Sequence, residues 1–461
     1  DEPTENEAKW HAIAAQKDLK SQFHLLKPLN PLSEKVSEKN QICAICSNAA
    51  TLQCISCHQN WCSHEHYLLD DEPIHSFVCG KLTELWYLKY FNKETGVKQM
   101  SDEIRIKAET MIQTEILRVC EQRARMFVCE RQYILGLAPS IRANGISKEL
   151  FGTHSHQYVE SNMLLTKIHL GMRKFGYVNK SISQLTAETA DLINQQLRDI
   201  GREDLIREAF LHYERQSVQD NLVRFPIVYI PFNVIYKFNP KLIQMQSKIQ
   251  LLVGQFYQMI GEKALSLQFI SDAIYFESLI TGPTSLEVTN CYLELGKTHI
   301  IGQKPIDLSN YKIIERFEKQ NSEIQKAIFI LNTVVDIWNS EIRRSLNAKT
   351  TLSIDSANIG EPRLLLQDCK AIFSMYIGQD SYWFIKTSCT LALFYIMYDQ
   401  DYEAVMEAQL CNKAINKFND ICDLNNKWKF EVQQFEKDMN DLTYVLDNLD
   451  LQNRIQSIKA E

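Results

Sequence analysis

From residue 101 onward apolar side chains recur three and four positions apart with polar residues between them, the period of amphipathic helices, and strand-like alternation is scarce. The pattern predicts helices that come in pairs: 104–131 with 136–151, 157–175 with 179–196, 246–260 with 263–280, 285–300 with 324–345, and 380–398 with 403–418. Short turns join most pairs. In GEKALSLQFISDA (261–273) and DQDYEAVMEAQLCNKA (399–414) a glycine or polar turn is followed by a small residue that opens the second helix. Small side chains let two helices approach closely. The pattern breaks at 201–245, where FPIVYIPF reads as an extended segment, at 301–323 and at 346–379, all expected to be insertions.

Ala264, followed by Leu267, Phe269, Ser271 and Ala273, resembles the second helix of a tetratricopeptide unit, in which helix pairs stack into a superhelix. The expected fold is therefore mostly α, with a tetratricopeptide-like helical solenoid over 104–424. The last stretch, 425–461, predicts a long amphipathic helix that caps the array or meets a partner helix.

With 461 residues the chain exceeds what one core usually serves, and 45% hydrophobic against 23% charged residues is ordinary for a folded protein. A net charge of −7 and a pI near 6.0 offer no electrostatic footprint for a polyanion, so nucleic acid is not an expected partner. The longest apolar run, 225–236, is interrupted by Pro226 and Pro231 and falls short of the roughly 20 residues that span a bilayer, so no membrane partner is expected. The acidic, polar start of the chain does not resemble a secretory signal. An odd total of 13 cysteines, seven of them scattered, suits a reducing compartment where thiols pack as small apolar groups.

The other six cysteines lie between residues 43 and 79. With two histidines they form the series C-x2-C-x7-C-x2-C-x4-C-x3-H-x8-H-x3-C: Cys43, Cys46, Cys54, Cys57, Cys62, His66, His75 and Cys79. A two-residue gap lets a tight knuckle aim both thiolates at one ion, and a three-residue gap does the same from one helical turn. Four such pairs make two tetrahedral ions. The segment carries too few apolar residues to fold unaided, whereas structural zinc supplies roughly 10–16 kcal/mol in finger peptides. Two structural Zn2+ ions are expected, each closed by four protein ligands, with no open position for catalysis. His58 and His64 are alternatives to His66 as sixth ligand.

The spacing resembles the MYND zinc finger. That resemblance implies that Cys43, Cys46, Cys62 and His66 hold one ion, and Cys54, Cys57, His75 and Cys79 the other. In peptide-binding MYND fingers an aromatic residue three places before the seventh ligand builds a groove for proline-containing motifs, and here that place is Glu72. The expected organisation is an N-terminal extension (1–42), the finger (43–79), a linker (80–103), the repeats and the C-terminal helix. Replacing Cys54 by Ser is expected to unfold 43–79 and leave the helical body largely intact.

No catalytic constellation stands out. MYND fingers also accompany SET-type lysine methyltransferases, whose Asn-His cofactor motif does not occur in this sequence. The GKT at 296–298 has Cys291 where a phosphate loop needs glycine, and His154-Ser155-His156 lacks a third ligand.

A MYND finger followed by tetratricopeptide helices, with the strings KELFGTHSHQYVESNMLLTKIHLGMRKFG (148–176), DAIYFESLITGPTSLEV (272–288) and IFILNTVVDIWNSEI (328–342), resembles the zinc finger MYND domain-containing protein 12 family of motile cilia. The resemblance implies a non-enzymatic scaffold of a single-headed inner dynein arm in the ciliary axoneme, made in the cytoplasm before assembly. Its partners would be an axonemal dynein heavy chain and another tetratricopeptide-repeat protein of the same arm, with tubulin of the doublet microtubule as a further candidate. The alternatives are a cytoplasmic or nuclear adaptor of the same architecture, in dynein preassembly or transcriptional corepression, and a divergent methyltransferase.

Overall fold

Ser101, its own backbone extended, accepts a hydrogen bond from the Ile104 backbone N–H, and Asp102 and Glu103 follow in the first turn, where the helix dipole favours negative charge. This cap opens the longest helix of a computed structural model that describes residues 26–28, 42–91, 101–202, 204, 239–305, 313–348, 350, 352, 360–421 and 432–440. The chain divides into two compact units, 1–245 and 246–461, the division falling inside the helix Pro240–Met259.

The first unit begins with a three-stranded antiparallel sheet: β1 (Leu26–Pro28), β2 (Leu52–Cys54) and β3 (Asn60–Trp61). The register places Leu26 opposite Cys54 and Leu52 opposite Trp61. Helix α1 (His64–Asp70), a wider π-helical turn (Asp71–His75) and α2 (Ser76–Trp86) run on without a break, and a second π-helical turn covers Tyr87–Phe91. The expected linker 80–103 is thus helical as far as residue 91. Four long helices follow: α3 (Asp102–Cys129), α4 (Tyr133–Phe151), α5 (His156–Gly171) and α6 (Phe175–Asp199), each packed on the next.

Ile74 and Val78, from the π-turn and α2, share one core with Ile112, Ile116, Leu117 and Cys120 of α3 and Ala138 and Ala143 of α4. The finger is therefore packed onto the first helical hairpin. The sequence set finger and body apart as separate segments, and in the structure Ile74 and Val78 of the finger are buried together with side chains of α3 and α4.

Helix α7 (Pro240–Met259) carries the division. The second unit continues with α8 (Lys263–Thr281), α9 (Thr289–Ile300), α10 (Ile313–Lys319), α11 (Ser322–Ala348), α12 (Gly360–Tyr376), α13 (Tyr382–Met397) and α14 (Asp401–Ile421). Nearly every side chain of α13 is buried, including Phe384, Ile385, Leu391 and Phe394, so it is the axis on which α11, α12 and α14 pack. Residues 432–440 are helical, and Val432, Phe435 and Met439 join this core. That is the described part of the expected C-terminal helix. All three expected insertions contain helix: the start of α7, from Pro240, within 201–245, α10 within 301–323, and α12 within 346–379. The segment 225–236 lies outside the described residues.

Turn geometry repeats along the chain. Arg131, Arg173, Gly261 and Asp399 adopt positive φ (57°, 58°, 87° and 54°), and the next residue's N–H bonds five residues back: Gln132 to Phe127 O, Lys174 to His169 O, Glu262 to Tyr257 O and Gln400 to Tyr395 O. This is the closing turn that satisfies orphaned carbonyls at a helix end, and each time the next helix starts two residues after the left-handed position. Between hairpins a second device recurs, a positive-φ glycine with a serine three residues on: Gly152 and Ser155, Gly282 and Ser285, Gly378 and Ser381. Ser155 and Ser381 cap the helices that follow.

Within the α7–α8 hairpin the helices come close at Gly254, where an added Cβ would lie 2.5 Å from the Ile270 side chain. The Ser266 hydroxyl donates to the Gly254 carbonyl at 2.9 Å. The small residue at the contact is thus Ser266, and Ala264, expected there, is exposed.

Candidate metal centre

Two matching knuckles begin the site. Ser47 and His58, each directly after the second cysteine of a C-x2-C pair, take positive φ (60° and 61°), and their N–H groups bond back to the carbonyls of Cys43 (3.0 Å) and Cys54 (3.1 Å). The left-handed residue reverses the chain so that both thiols of a pair face the same side. Of the remaining ligands, Cys62 lies in the bend between β3 and α1, and His66, His75 and Cys79 come from helical turns. Ser63 caps α1 by accepting from the His66 N–H at 3.3 Å. His75 and Cys79 stand four residues apart on one helical face, and Cys62, just ahead of the Ser63 cap, stands four residues before His66 in the first turn of α1.

The chain gathers these eight residues into two interleaved groups: Cys43, Cys46, Cys62 and His66, and Cys54, Cys57, His75 and Cys79. Within each group the candidate ligand atoms lie within 4.8 Å of one another. Thiolates about 2.3 Å from a tetrahedral zinc-sized ion sit about 3.8 Å apart, and a thiolate and an imidazole nitrogen about 3.5 Å apart. Observed separations are 3.5 Å for Cys46 Sγ to Cys62 Sγ, 3.5 Å for Cys43 Sγ to His66 Nδ1, 3.1 Å for Cys62 Sγ to His66 Nδ1 and 3.9 Å for Cys54 Sγ to Cys79 Sγ. Three thiolates and one imidazole at such spacings fit one tetrahedral metal ion per group.

Electrostatics points the same way. A hydrogen bond from Cys57 outweighs burial and holds the Cys54 thiol down at about 3, and that bond together with burial pushes Cys57 well above the ordinary thiol range. Against the upward push of burial, the backbone N–H groups of Cys46 and Ile45 bring Cys43 down to about 7. Burial and bonds to Cys46 and Cys43 raise Cys62 to about 11. Thiols this close share protons and cannot all ionise together unless a cation sits among them.

Around the ligands lies a small apolar shell: Leu26, Trp61 and Tyr67 are buried among the cysteines. Trp61 meets Tyr67 and His75 edge to face, with centroids 5.1 and 5.0 Å apart. Asp70, with 0% exposure, accepts from Trp61 Nε1 at 3.2 Å and takes Arg142 Nη2 on both oxygens at 2.9 and 2.7 Å. Arg142 Nη1 donates to Gln59 Oε1 at 3.1 Å, and Arg123 Nε to the Pro73 carbonyl at 2.9 Å. Sequence reasoning missed β1, Asp70 and Arg142. The sequence carries no local signal for a pair 72 positions apart.

The other candidate motifs have structural roles. Lys297 of the GKT triplet lies in α9 and pairs with Glu294 and Asp368, and an added Cβ at Gly296 would meet Leu331 at 2.8 Å. In His154-Ser155-His156 the serine caps α5. Glu72 is exposed on the π-turn. Among the described residues no helix is long and apolar enough to cross a membrane.

No family model and no curated protein matches the chain.

Proposed function

We propose that the chain is a non-enzymatic, protein-binding scaffold in which a two-zinc, MYND-like finger is built onto tetratricopeptide-like helical repeats. The observation that carries this reading is the pair of complete four-donor groups. Four protein donors per ion leave no position for substrate or an activated water, which is the coordination of structural rather than catalytic zinc. The repeat assignment draws support from the recurring hairpin turns, the recurring Gly-x-x-Ser device and helices packed mainly on their neighbours in sequence. Stacked helical pairs offer an extended surface suited to a partner helix.

The finer reading follows the family resemblance: an inner dynein arm subunit of the ciliary axoneme, bound to a dynein heavy chain and to another tetratricopeptide-repeat protein, with tubulin as a further contact. Affinity purification of the tagged chain from isolated axonemes, followed by mass spectrometry, tests it. A copurifying single-headed dynein heavy chain is expected. Recovery of the tagged chain with no dynein subunit would sink the ciliary assignment while leaving the scaffold reading to elemental analysis, which is expected to give two zinc ions per chain.

A further inference from the structure

The second metal group has an imidazole whose outer nitrogen lacks a protein partner. His75 is 4% exposed, its Nδ1 makes no hydrogen bond, and the nearest carboxylate oxygen, Asp70 Oδ2, stands 4.0 Å away. The Cys54 thiol, by contrast, is hydrogen-bonded by the His75 side chain, so the other nitrogen, Nε2, faces the ligand group. With Nε2 on an ion, the ring proton sits on Nδ1, and a ligating histidine nearly always donates that proton to a carboxylate, carbonyl or water. Asp70 is the carboxylate in place, and a shift of about 1 Å brings Nδ1 into hydrogen-bonding range of it.

Asp70 belongs to the finger, but what neutralises it does not. The Arg142 guanidinium, whose Nη2 reaches both carboxylate oxygens, comes from α4, in the first helical hairpin, and without it the carboxylate would be buried beside three thiolates with no cation but the metal. Trp61 Nε1 also donates to Asp70 Oδ2, which fixes the carboxylate plane. A line of contacts therefore runs from Cys54, Cys57 and Cys79 through His75 and Asp70 to Arg142. The group of Cys43, Cys46, Cys62 and His66 has no corresponding link to α4 among the described contacts.

We propose that Asp70 and Arg142 are outer-sphere positioning residues of the second metal site, so that the ion held by Cys54, Cys57, His75 and Cys79 binds more tightly when the first helical hairpin is docked. The inference rests on the two-metal reading and is independent of the partner assignment. Coupling of this kind is reciprocal: the ion strengthens hairpin docking by the same factor by which docking strengthens ion binding.

The test uses the full chain loaded with zinc. Chelator is titrated in, and cysteine alkylation is read site by site by mass spectrometry, which separates Cys54, Cys57 and Cys79 from Cys43, Cys46 and Cys62. In Arg142→Met and Asp70→Asn the chelator concentration that half-exposes the Cys54 group is expected to fall 10–100-fold, the usual effect of losing an outer-sphere partner. The Cys43 group should keep its parental midpoint. Arg142→Lys retains the charge and should restore part of the difference, which keeps the experiment readable if Arg142→Met folds poorly. Equal shifts in both groups, or none in either, would overturn the coupling while leaving both ions in place. Fewer than two ions in the parent protein would instead overturn the two-metal reading itself.

Discussion

The finger and the second helical unit hold the same residue type in opposite states. In the finger six cysteines face one another in two groups: the bond from Cys57 holds Cys54 at about 3, while burial, with bonds to Cys46 and Cys43, raises Cys62 to about 11. In the helical body the thiols are buried in the helical core. Burial pushes Cys291 and Cys389 up to about 12, and Cys369 and Cys411 are raised as well. Cys120, in the core the finger shares with α3 and α4, behaves as the body cysteines do, at about 12. Spacing, not cysteine content, decides the chemistry: pairs with two or three residues between them converge on a common point, and dispersed thiols pack as small groups in a helical core.

Metal removal should disrupt the finger and spare the second helical unit. A structural zinc contributes on the order of 10 kcal/mol, more than the small apolar shell of Leu26, Trp61 and Tyr67 can replace. Chelation is therefore expected to abolish amide-exchange protection across 43–91, measured by hydrogen-exchange mass spectrometry. Because Ile74 and Val78 are shared with α3 and α4, protection should also drop in 102–151 and be retained best in α6. A finger that stays protected after metal is stripped would show that packing alone sustains it.

The converse experiment leaves the metal and opens the core. Phe394 of α13 is fully buried and touches Trp338 and Tyr398 edge-on or tilted, with centroids 6.3 and 4.9 Å away. Phe394→Ala should cost about 3–5 kcal/mol through lost burial and the cavity left behind, read as a drop in the denaturant midpoint. Metal content should not change. Loss of metal in this variant would mean that the two regions do not fold on separate principles.

How much of this was legible beforehand follows from the range of each signal. The Cys and His spacing is local, and it pointed to eight ligands for two ions, while their division into these two groups came from the resemblance to the MYND finger. Hairpins were legible where the 3.6-residue period was long. Helix α12 escaped because it opens as Gly-Glu-Pro after a polar stretch, although Pro362 is tolerated in a first turn and Leu365, Leu366, Cys369, Phe373 and Tyr376 mark its buried face. The turn after each hairpin's first helix was harder to read because Arg131, Arg173 and Asp399 fill positions that usually advertise themselves with glycine. Gly-x-x-Ser before three helices was visible as a string, and only the φ angles and caps give it meaning. The Asp70–Arg142 pair, the shared core and β1 depend on contacts between residues far apart in the chain, for which one sequence carries no pattern.

A smaller effect separates the ligand histidines from a packed one. His169 of α5 stacks on Tyr177 at 3.8 Å, and burial, helped by Lys174, depresses it to about 4 from its ordinary 6.5. The unfolded chain then binds this proton between pH 6.5 and 4 while the folded chain does not, so stability present above pH 6.5 is lost as pH falls. After discounting for partial solvent exposure the loss between pH 7 and 5 is about 1 kcal/mol. His169→Gln should remove that share of the acid sensitivity, measured as the difference between variant and parent in denaturant midpoints at the two pH values, which cancels titration elsewhere. An unchanged difference would show that His169 protonates as easily folded as unfolded.

The smallest effect tests whether histidines outside the finger belong with it. In His154-Ser155-His156 the serine hydroxyl accepts from the Tyr158 N–H at 3.2 Å and donates to the Gly152 carbonyl at 2.9 Å, tying the positive-φ glycine to the start of α5. Its work is to satisfy an orphaned helix N–H, so Ser155→Ala should cost roughly 0.5–1 kcal/mol, with Ser155→Asp close to the parent because a carboxylate accepts the same bond and favours the helix N-terminus. Zinc content should be two per chain in both variants. A metal site at these histidines would reverse the ranking, because Asp adds a ligand beside them: Ser155→Asp would then raise metal content, and Ser155→Ala would leave stability untouched. The Gly-x-x-Ser recurrence at Ser381 provides the control, since Ser381→Ala removes the same kind of cap, from the Phe384 N–H at 3.4 Å, in a segment with no histidine nearby in sequence. Matching losses at the two serines would mark His154 and His156 as flanking residues of a repeated helix start.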